Sequence, residues 1–342
     1  MGREPAARAV RAHRRSRRDR LREAQLKVVV AGAGAWGTAF SCLLAARGHE
    51  VTLACRDPEQ ARAIEETGRN PRYLPQADLS TISATTLDDL RLAGADLQAI
   101  AVPSQAFGEV VRGLPGEAPV LSLTKGLDPE TGLRLSQLVE RRAVAVLSGP
   151  TFAEEVADNL PAAAVIASED QALTLELQQA INSLAFRVYA NDDPTGVELC
   201  AAAKNVIALA AGGVDGLGLG DNAKAALIAR GLAEMARLGE ACGARPETFA
   251  GLAGMGDLIV TCWSRHGRNR HAGELIATGS TPAEAAAALG TVEGLTTAPV
   301  LRDLSHRLGI ELPITEGVCK VLDGEDLNEL AASLMGRQPT RE

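Results

Sequence analysis

The sequence contains few aromatic residues, which make up 3% of its 342 positions, so alanine, leucine and valine must fill the hydrophobic core. Its six cysteines form no C-x-x-C pair and its five histidines are scattered, a pattern that excludes the usual zinc-binding spacings. We therefore predict no metal site and interpret the cysteines as reduced thiols of a cytoplasmic protein. No apolar run reaches the roughly 20 residues that a membrane span needs, so we expect no such span.

Charge is distributed unevenly along the chain, which carries a net charge of −8. Residues 1–23 contain nine arginines and three acidic residues, a net charge of +6 that leaves −14 for the remainder. An acidic body argues against a nucleic-acid enzyme, so we expect no nucleic-acid partner. The basic segment could be an RNA-binding or targeting arm, although it lacks the apolar stretch of a secretory signal. We interpret residues 1–24 as a disordered tail outside the fold.

A glycine-rich turn between two strands is the first feature that indicates a ligand. Residues 26–31 predict a buried strand, an apolar helix follows, and residues 49–55 predict a second strand. Gly32, Gly34 and Gly37 form the pattern G-x-G-x-x-G between the first strand and the helix. The first glycine permits a tight turn, the second lets the backbone approach a pyrophosphate, and the third allows close packing of helix and strand. The unit predicts dinucleotide binding; the alternative is a turn whose glycines serve packing only.

Strands and helices alternate through the first half of the chain. Further strands are predicted at residues 96–102, 118–124, 143–148, 161–168 and 186–191. The alternation predicts an α/β fold, with a Rossmann-like, doubly wound and mostly parallel sheet over residues 25–198. The pattern then becomes helical, which predicts an all-helical domain over residues 199–336. Within it, a Thr-Pro-Ala-Glu start and a closing glycine mark residues 281–290 as a short helix.

Polar residues follow the predicted strands at the edge where open α/β sheets bind ligands. Arg56 stands at the end of the second strand, where an arginine suits the 2′-phosphate of NADPH and an acid would suit NAD. We therefore predict NADPH as the cofactor, with NADH possible; a solvated surface arginine is the alternative. Lys125 follows a later strand and is either a site residue or an exposed lysine. Thr151 and Glu154 form an S/T-x-x-E pattern that predicts a capped helix start at the same edge.

The stretch ELCAAAKNVIALAAG, residues 198–212, is apolar around Lys204 and Asn205 and predicts a buried helix. Burial disfavours the charged ammonium and so lowers its pKa, and a second cation such as Lys125 would lower it further. A lysine that titrates near the working pH can give up a proton and regain it. The alternative is a lysine whose methylene stem carries the ammonium to the surface.

Several long motifs, in one order along the chain, carry a family resemblance. They are GAGAWGTA, NPRYLP, VPSQAF, TKGL, LSGPTFAEEVA, KNVIALAAGGVDGLGLGDNAKAALIARGLAEMARLG, GLAGMGDLIVTC, GRNR and VEG. Over about residues 26–336 the chain resembles bacterial NAD(P)-dependent sn-glycerol-3-phosphate dehydrogenase. The resemblance implies a Rossmann-like domain, a helical substrate domain and a small phosphorylated substrate. It also implies interconversion of dihydroxyacetone phosphate and glycerol 3-phosphate, which feeds phospholipid synthesis. We further expect a homodimer.

The resemblance also implies roles for individual residues. Lys204 would be the proton donor and acceptor at the C2 oxygen, Asp257 would orient it, and Lys125 would polarise that oxygen. The implied substrate contacts are Lys125, Gly149, Thr151, Lys204, Asp257, Gly267, Arg268 and Asn269. The implied cofactor contacts are Gly32, Gly34, Ala35, Trp36, Gly37, Arg56, Tyr73, Lys125, Ala153, Arg268, Thr291 and Glu293. Gly267 departs from the family, which often has serine there, so a hydroxyl donor is lost while the backbone N–H remains.

Two other functions fit parts of the same pattern. Arg268 and Asn269 precede the predicted helix HAGELIATG, whose N-terminus would favour a phosphate. Because arginine holds a carboxylate as readily as a phosphate, a hydroxyacid dehydrogenase is one alternative. An NADPH-sensing binding protein is the other. Such a protein needs no buried lysine, so Lys204 and Lys125 count against it.

Overall fold

The computed structural model describes residues 25–90, 94–114 and 116–327 of the chain. The predicted tail at residues 1–24 lies outside the described residues, as does the end of the predicted helical domain beyond residue 327. Within the described ranges, a sheet flanked by helices is followed by a part that is entirely helical. The predicted α/β fold with a following helical domain is therefore confirmed.

The sheet of the described residues contains eight strands in the order β3-β2-β1-β4-β5-β6-β7-β8. These strands are β1 Lys27–Ala31, β2 Glu50–Cys55, β3 Ser83–Thr86, β4 Leu97–Ile100, β5 Val120–Ser122, β6 Val144–Ser148, β7 Ala162–Ala167 and β8 Phe186–Asn191. Neighbouring strands are parallel except β6 and β7, which are antiparallel. The strand order reverses between β1 and β4, the kind of switch point at which open α/β sheets bind ligands.

Helices cover the sheet and then form the second part of the chain. Those of the sheet domain are α1 Ala35–Ala46, α2 Pro58–Thr67, α3 Ser104–Gly113, α4 Ala153–Ala157 and α5 Gln171–Ile181. Those that follow are α6 Pro194–Gly216, α7 Gly220–Ala241, α8 Pro246–Ala250, α9 Asp257–Trp263, α10 Arg268–Ala277, α11 Pro282–Leu289, α12 Glu293–Leu308 and α13 Pro313–Leu322. As predicted, Thr281 caps α11: its hydroxyl accepts the N–H of Glu284, and the Glu284 carboxylate accepts the N–H of Thr281.

Two local features differ from the sequence analysis. Strand β3, with the sequence SATT, was not predicted, because it is a short edge strand without the apolar run on which strand prediction depends. The predicted cap at Thr151 is wrong. Helix α4 begins at Ala153 with Phe152 in the capping position, which places Thr151 one residue too early. The Thr151 hydroxyl instead donates to the carbonyl of Gly149 at 3.2 Å.

Helix α6 forms the centre of the helical part. It begins with Pro194 after Asp193, whose carboxylate accepts the N–H of Gly196. Its length and composition would allow it to cross a membrane, but 89% of its most apolar stretch is buried inside the protein, as in the core helix of a globular domain. The predicted boundary at residue 198 falls in the second turn of α6, and the division of the chain at that residue stays a prediction.

Helices α6 and α10 cross with their backbones almost in contact. A Cβ atom on Gly212 would lie 1.8 Å from the carbonyl oxygen of Arg270, and one on Gly273 would lie 1.9 Å from that of Leu209. Only glycine fits at either position, because real side chains do not approach a backbone oxygen so closely. The crossing fixes the start of α10 beside the middle of α6, which carries Lys204.

Candidate active site

The glycine turn after β1 has the geometry that its spacing predicts. Gly32 has a φ of +110°, and a Cβ atom there would lie 2.4 Å from the carbonyl oxygen of Ala101. A Cβ atom on Gly37 would lie 1.8 Å from the carbonyl oxygen of Gly32, so this glycine is required for packing. A Cβ atom on Gly34 would meet no atom within 4 Å. The first and third glycines are therefore needed by the fold, whereas the second keeps the backbone open to a ligand.

The start of helix α1 offers unpaired donors next to this turn. No side chain caps the helix at Gly34, and its first turn, which begins at Ala35, contains no acidic residue. Its first N–H groups are thus available to an anion. The indole of Trp36 packs against Phe40 and Phe186, and its buried Nε1 has no hydrogen-bond partner among the described residues. These features fit the pyrophosphate of a dinucleotide.

One carboxylate joins two lysines at the carboxyl edge of the sheet. Asp257, 1% exposed, accepts a hydrogen bond from Nζ of Lys204 at 2.6 Å and one from Nζ of Lys125 at 2.9 Å, each on a different oxygen. Lys204 is 4% exposed, so the alternative of a lysine that reaches the surface is wrong. Only 17% of the Lys125 side chain is exposed, which also excludes a free surface lysine.

Each ammonium group uses two of its three hydrogens in contacts with described residues. Lys204 also donates to Oγ1 of Thr261 at 2.9 Å, and Lys125 also donates to the carbonyl of Gly149 at 3.0 Å. A lysine ammonium carries three donors, so one hydrogen on each group is left for a further acceptor. The hydroxyl of Ser148 donates to Asp257 at 3.3 Å, on the oxygen that Lys125 uses.

The protonation of this cluster follows from its burial and charges. Burial lowers the pKa of Lys204 from 10.5 to about 7; the carboxylate of Asp257 opposes that shift, and the ammonium of Lys125 adds to it. Burial alone would raise the pKa of Asp257, but Lys125 and Lys204 outweigh it and hold that pKa below its ordinary value. Asp257 therefore stays ionised, while Lys204 can exchange a proton near neutral pH.

Both parts of the chain contribute to the cluster. Lys125 follows β5, and Ser148 and Gly149 lie at the end of β6, so these groups come from the sheet. Gly149 has a φ of +147°, and a Cβ atom there would lie 2.9 Å from the carbonyl oxygen of Ala163, so glycine is required. Helices α6 and α9 supply Lys204 and Asp257 from the opposite side. The cluster thus exists only where the two parts meet.

The first residues of α10 lie next to the same region. Arg268 is the first residue of the helix, no acidic residue follows in its first turn, and its side chain is exposed. The amide of Asn269 donates to Oδ1 of Asn205 at 3.0 Å and accepts the N–H of Gly294 at 2.8 Å. This amide therefore joins α10 to α6 and α12. Arg268 and the first N–H groups of α10 therefore lie at the N-terminal end of this helix, where they can bind an anion.

Gly267, which departs from the family pattern, is fixed by its neighbours. A Cβ atom on Gly267 would lie 2.8 Å from the carbonyl oxygen of Thr261, at the end of α9. A serine in this chain would therefore require the backbone between the two residues to shift. Because the hydroxyl of Thr261 contacts Lys204, the close approach at Gly267 holds the start of α10 next to the lysine cluster, formed by Lys125, Asp257 and Lys204.

The remaining predicted cofactor residues are distributed over several elements. The carboxylate of Glu293, at the start of α12, accepts the N–H of Ser104 at 3.1 Å and its hydroxyl at 2.7 Å, and so joins the helical part to α3. Burial raises the pKa of Glu293. Exposed Arg56 and Tyr73 lie near the end of β2 and in the NPRYLP loop. Ala153 begins α4, and Thr291 precedes α12. No described contact brings these last four residues to the lysine cluster.

Comparison with known proteins gives the family. Residues 27–174 match the model of the NAD-dependent glycerol-3-phosphate dehydrogenase N-terminus, and residues 193–332 match that of the C-terminus. The chain belongs to this family. It is 46% identical over 325 residues to glycerol-3-phosphate dehydrogenase [NAD(P)+] of Moorella thermoacetica, covering 92% of this chain and 97% of that one. It is 47% identical over 335 residues to the Variovorax paradoxus protein of the same name, covering 93% and 99%.

A solved structure supports the same relationship. The crystal structure of glycerol-3-phosphate dehydrogenase from Coxiella burnetii has a TM-score of 0.87 and 38% identity, and the match covers 92% of this chain and 99% of that one. The family assignment and the mostly parallel sheet with its helical second part therefore agree.

Two polar residues of the cluster in this glycerol-3-phosphate dehydrogenase family member were missed by the sequence analysis. Thr261 stands four residues after Asp257 on α9, so the two share a helix face, and helical spacing could have identified it. Its hydroxyl donates to the backbone carbonyl of Asp257 and accepts from Lys204. Ser148 is the last residue of β6, and only its position before Gly149 suggested a place at the sheet edge.

Proposed function

We propose that the chain interconverts dihydroxyacetone phosphate and sn-glycerol 3-phosphate with NADPH, or less readily NADH, as the cofactor. The observation that carries the proposal is the buried Lys125–Asp257–Lys204 cluster, in which each ammonium has one hydrogen left for a substrate oxygen. When bound, NAD(P)H supplies the hydride that adds to C2 of the ketone. The family membership and the fit of the glycine turn support that cofactor.

Lys204 is proposed to carry the proton. In ketone reduction it donates a proton to the C2 oxygen and becomes neutral, and in alcohol oxidation the neutral amine takes the proton back. Its pKa of about 7 suits both directions near neutral pH. Lys125 stays charged and stabilises the negative charge that develops on the same oxygen. Asp257 holds both ammonium groups in place and balances one of their charges.

Arg268 and the first N–H groups of α10 are proposed to bind the phosphate of the substrate. The planar guanidinium can grip two phosphate oxygens, and the helix end adds a partial positive charge. Because the phosphate does not react, its binding free energy can hold C2 near Lys204. Asn269 fixes the helix end through its contacts with Asn205 and Gly294.

An assay of NADPH oxidation tests the proposal directly. We expect turnover with dihydroxyacetone phosphate and little with a panel of ketones that carry a carboxylate instead. Preferential turnover of a carboxylated ketone would favour a hydroxyacid dehydrogenase instead. NADPH binding without turnover of any ketone would favour a binding protein.

Replacement of the proposed acid tests the role of Lys204. Lys204→Met should lower kcat by about 100-fold or more, as for lost general acid catalysis, and should leave NADPH binding intact. Lys224→Met is a matched control, because Lys224 is also a buried lysine but is paired with Asp215 instead. A Lys204→Met variant with near-normal kcat, or an equal loss in the control, would show that the role is misassigned.

The cellular role is proposed from the family. We infer a cytoplasmic homodimer whose product, sn-glycerol 3-phosphate, feeds glycerophospholipid synthesis. Light scattering on the purified protein tests the dimer. Complementation of a strain that requires glycerol 3-phosphate for growth tests the direction in which the enzyme works.

A further inference from the structure

The residue after Arg56 is an acid, and its negative charge is balanced by an arginine from a later loop. Asp57 follows Arg56 at the end of β2 and caps α2, where its Oδ1 accepts the N–H of Glu59 at 2.9 Å. Its Oδ2 lies 2.5 Å from the guanidinium of Arg72. The N–H of Glu59, together with Arg72, holds the pKa of Asp57 below its ordinary value, so the carboxylate remains ionised.

Arg72 is held in this position by the NPRYLP loop to which it belongs. The fully buried amide of Asn70 accepts the backbone N–H groups of Arg72 and Tyr73, both at 3.2 Å. The same amide donates to the carbonyl of Ala33 at 3.0 Å and to Oγ1 of Thr38 at 2.8 Å. Ala33 is the residue between the first two glycines of the turn. One buried side chain therefore fixes the backbone of Arg72 relative to the glycine turn.

An uncompensated carboxylate at the end of β2 has opposite effects on the two dinucleotides. It accepts a hydrogen bond from the ribose 2′-hydroxyl of NADH, and it repels the 2′-phosphate of NADPH. We propose that Arg72 is a specificity-determining residue that favours the 2′-phosphate by compensating the charge of Asp57. Arg56 then contacts the phosphate, and Arg72 removes the repulsion that would oppose this contact. The proposal rests on the dinucleotide binding proposed above.

The proposal distinguishes the two arginines by their dependence on Asp57. Loss of Arg56 removes a phosphate contact whether or not Asp57 is charged. Loss of Arg72 matters because it exposes a charged Asp57, so its effect should largely disappear when Asp57 is made neutral. The pairing of Arg72 with Asp57 is therefore measurable as non-additivity in a double-mutant cycle.

Calorimetric binding of two adenosine fragments to the full chain tests this without any ketone. The ligands are 2′,5′-ADP, which carries the 2′-phosphate, and 5′-ADP, which does not. Arg72→Ala should weaken 2′,5′-ADP binding by about tenfold, because the uncompensated carboxylate of Asp57 would repel the nearby 2′-phosphate. The same variant should bind 5′-ADP equally well or more tightly. In the Asp57→Asn background, Arg72→Ala should change 2′,5′-ADP binding by less than about twofold.

Two comparison variants make the outcome specific. Arg62→Ala, which removes an exposed arginine from α2, should leave both affinities unchanged. Arg56→Ala should weaken 2′,5′-ADP binding equally in the native and Asp57→Asn backgrounds. An Arg72→Ala loss that is the same in both backgrounds would overturn the proposal and make Arg72 a direct phosphate contact. Failure of the unaltered chain to bind either nucleotide would overturn the dinucleotide site itself, a result that is distinguishable from failure at Arg72 alone.

Discussion

The substitution Asp257→Asn tests how the cluster sets the proton affinity of Lys204. It preserves the size of the side chain but removes the negative charge that Lys204 and Lys125 share. Burial lowers the pKa of Lys204 to about 7, and the charge of Asp257 keeps it from falling further. An opposite charge in contact changes a pKa by about 1–3 units, so we expect a Lys204 pKa of about 4–6 in the variant.

The change should appear as a displaced pH profile in both directions of the reaction. With Lys204 as the proposed proton donor, ketone reduction needs its protonated form, so kcat/KM for the ketone should fall as pH rises through the Lys204 pKa. For alcohol oxidation, kcat/KM should rise through the same pH. In the variant, the limb of each profile, meaning the pH range over which kcat/KM changes, moves to lower pH by the same amount. At pH values above these limbs, kcat/KM falls by the same factor in both directions, because an enzyme cannot alter the overall equilibrium. With a Brønsted coefficient of about 0.5, a pKa shift of about 1–3 units corresponds to a loss of roughly 3- to 30-fold.

The assay is kcat/KM for dihydroxyacetone phosphate and for sn-glycerol 3-phosphate at intervals between about pH 5 and about pH 9, because kcat/KM reports the free enzyme. Asp215→Asn is the matched control: it removes a carboxylate that pairs with Lys224 and Arg270, and it should leave the limb in place. A limb that stays at about pH 7 in Asp257→Asn would refute the proposed electrostatic coupling. A native enzyme without a limb in this range would refute Lys204 as the titrating group.

Two further substitutions test the proposed phosphate site at the start of α10 and the buried cap at the start of α13. Arg268→Ala should lower kcat/KM for dihydroxyacetone phosphate by roughly 10- to 150-fold, as for a lost charge-assisted hydrogen bond, and should barely affect unphosphorylated dihydroxyacetone; equal losses with NADPH but not with NADH would assign it to the cofactor instead. Glu234→Ala should destabilise the fold by about 1–3 kcal/mol, because the buried carboxylate accepts the N–H groups of Ile314 and Thr315 at the start of α13. Glu234→Gln, which keeps an acceptor, should recover most of that loss in thermal unfolding. Since burial raises the pKa of Glu234 from 4.5 to about 7, its protonation favours the fold below about pH 4.5 and stops doing so as pH rises through about 7. The native protein should thus lose stability over this range relative to Glu234→Gln.

The parts of the structure that the sequence predicts are those set by local spacing. The β1–α1–β2 unit could be predicted because an apolar strand, a glycine turn and an apolar helix follow one another within about 30 residues, the size of such a unit. The start of α11 could be predicted because its cap lies within four residues. Strand β3 could not, since an edge strand needs no apolar run. Helix α4 shows that a capping pattern fails when the helix begins one residue later than the pattern requires, here at Ala153 with Phe152 in the capping position.

The three residues of the Lys125–Asp257–Lys204 cluster were each identified from the sequence, but their arrangement was not. Lys204 and Asp257 are 53 positions apart, and Lys125 and Asp257 are 132 apart. Each was identified from its own motif. Nothing in those motifs specified that one carboxylate would accept hydrogen bonds from both lysines, one on each oxygen. That pairing depends on how α6 and α9 pack against the ends of β5 and β6. The pair formed by Asp57 and Arg72 was missed for the same reason, because a loop brings the arginine back to the end of β2.

The energetics of the cluster argue that its charges serve chemistry rather than folding. Removing two charged groups from water costs more than their attraction usually returns, and replacing such a buried pair by apolar residues is often neutral or stabilising. In this cluster the cost of desolvation exceeds the attraction by more, since two ammonium groups share one carboxylate and burial lowers the pKa of Lys204 to about 7. Lys204→Met should therefore leave the fold no less stable while it removes the proposed proton donor, because Asp257 still pairs with Lys125. Thermal unfolding and kcat measured on the same Lys204→Met variant check this: a loss of activity without a loss of stability would support the proposed proton transfer, and a large loss of stability would contradict it.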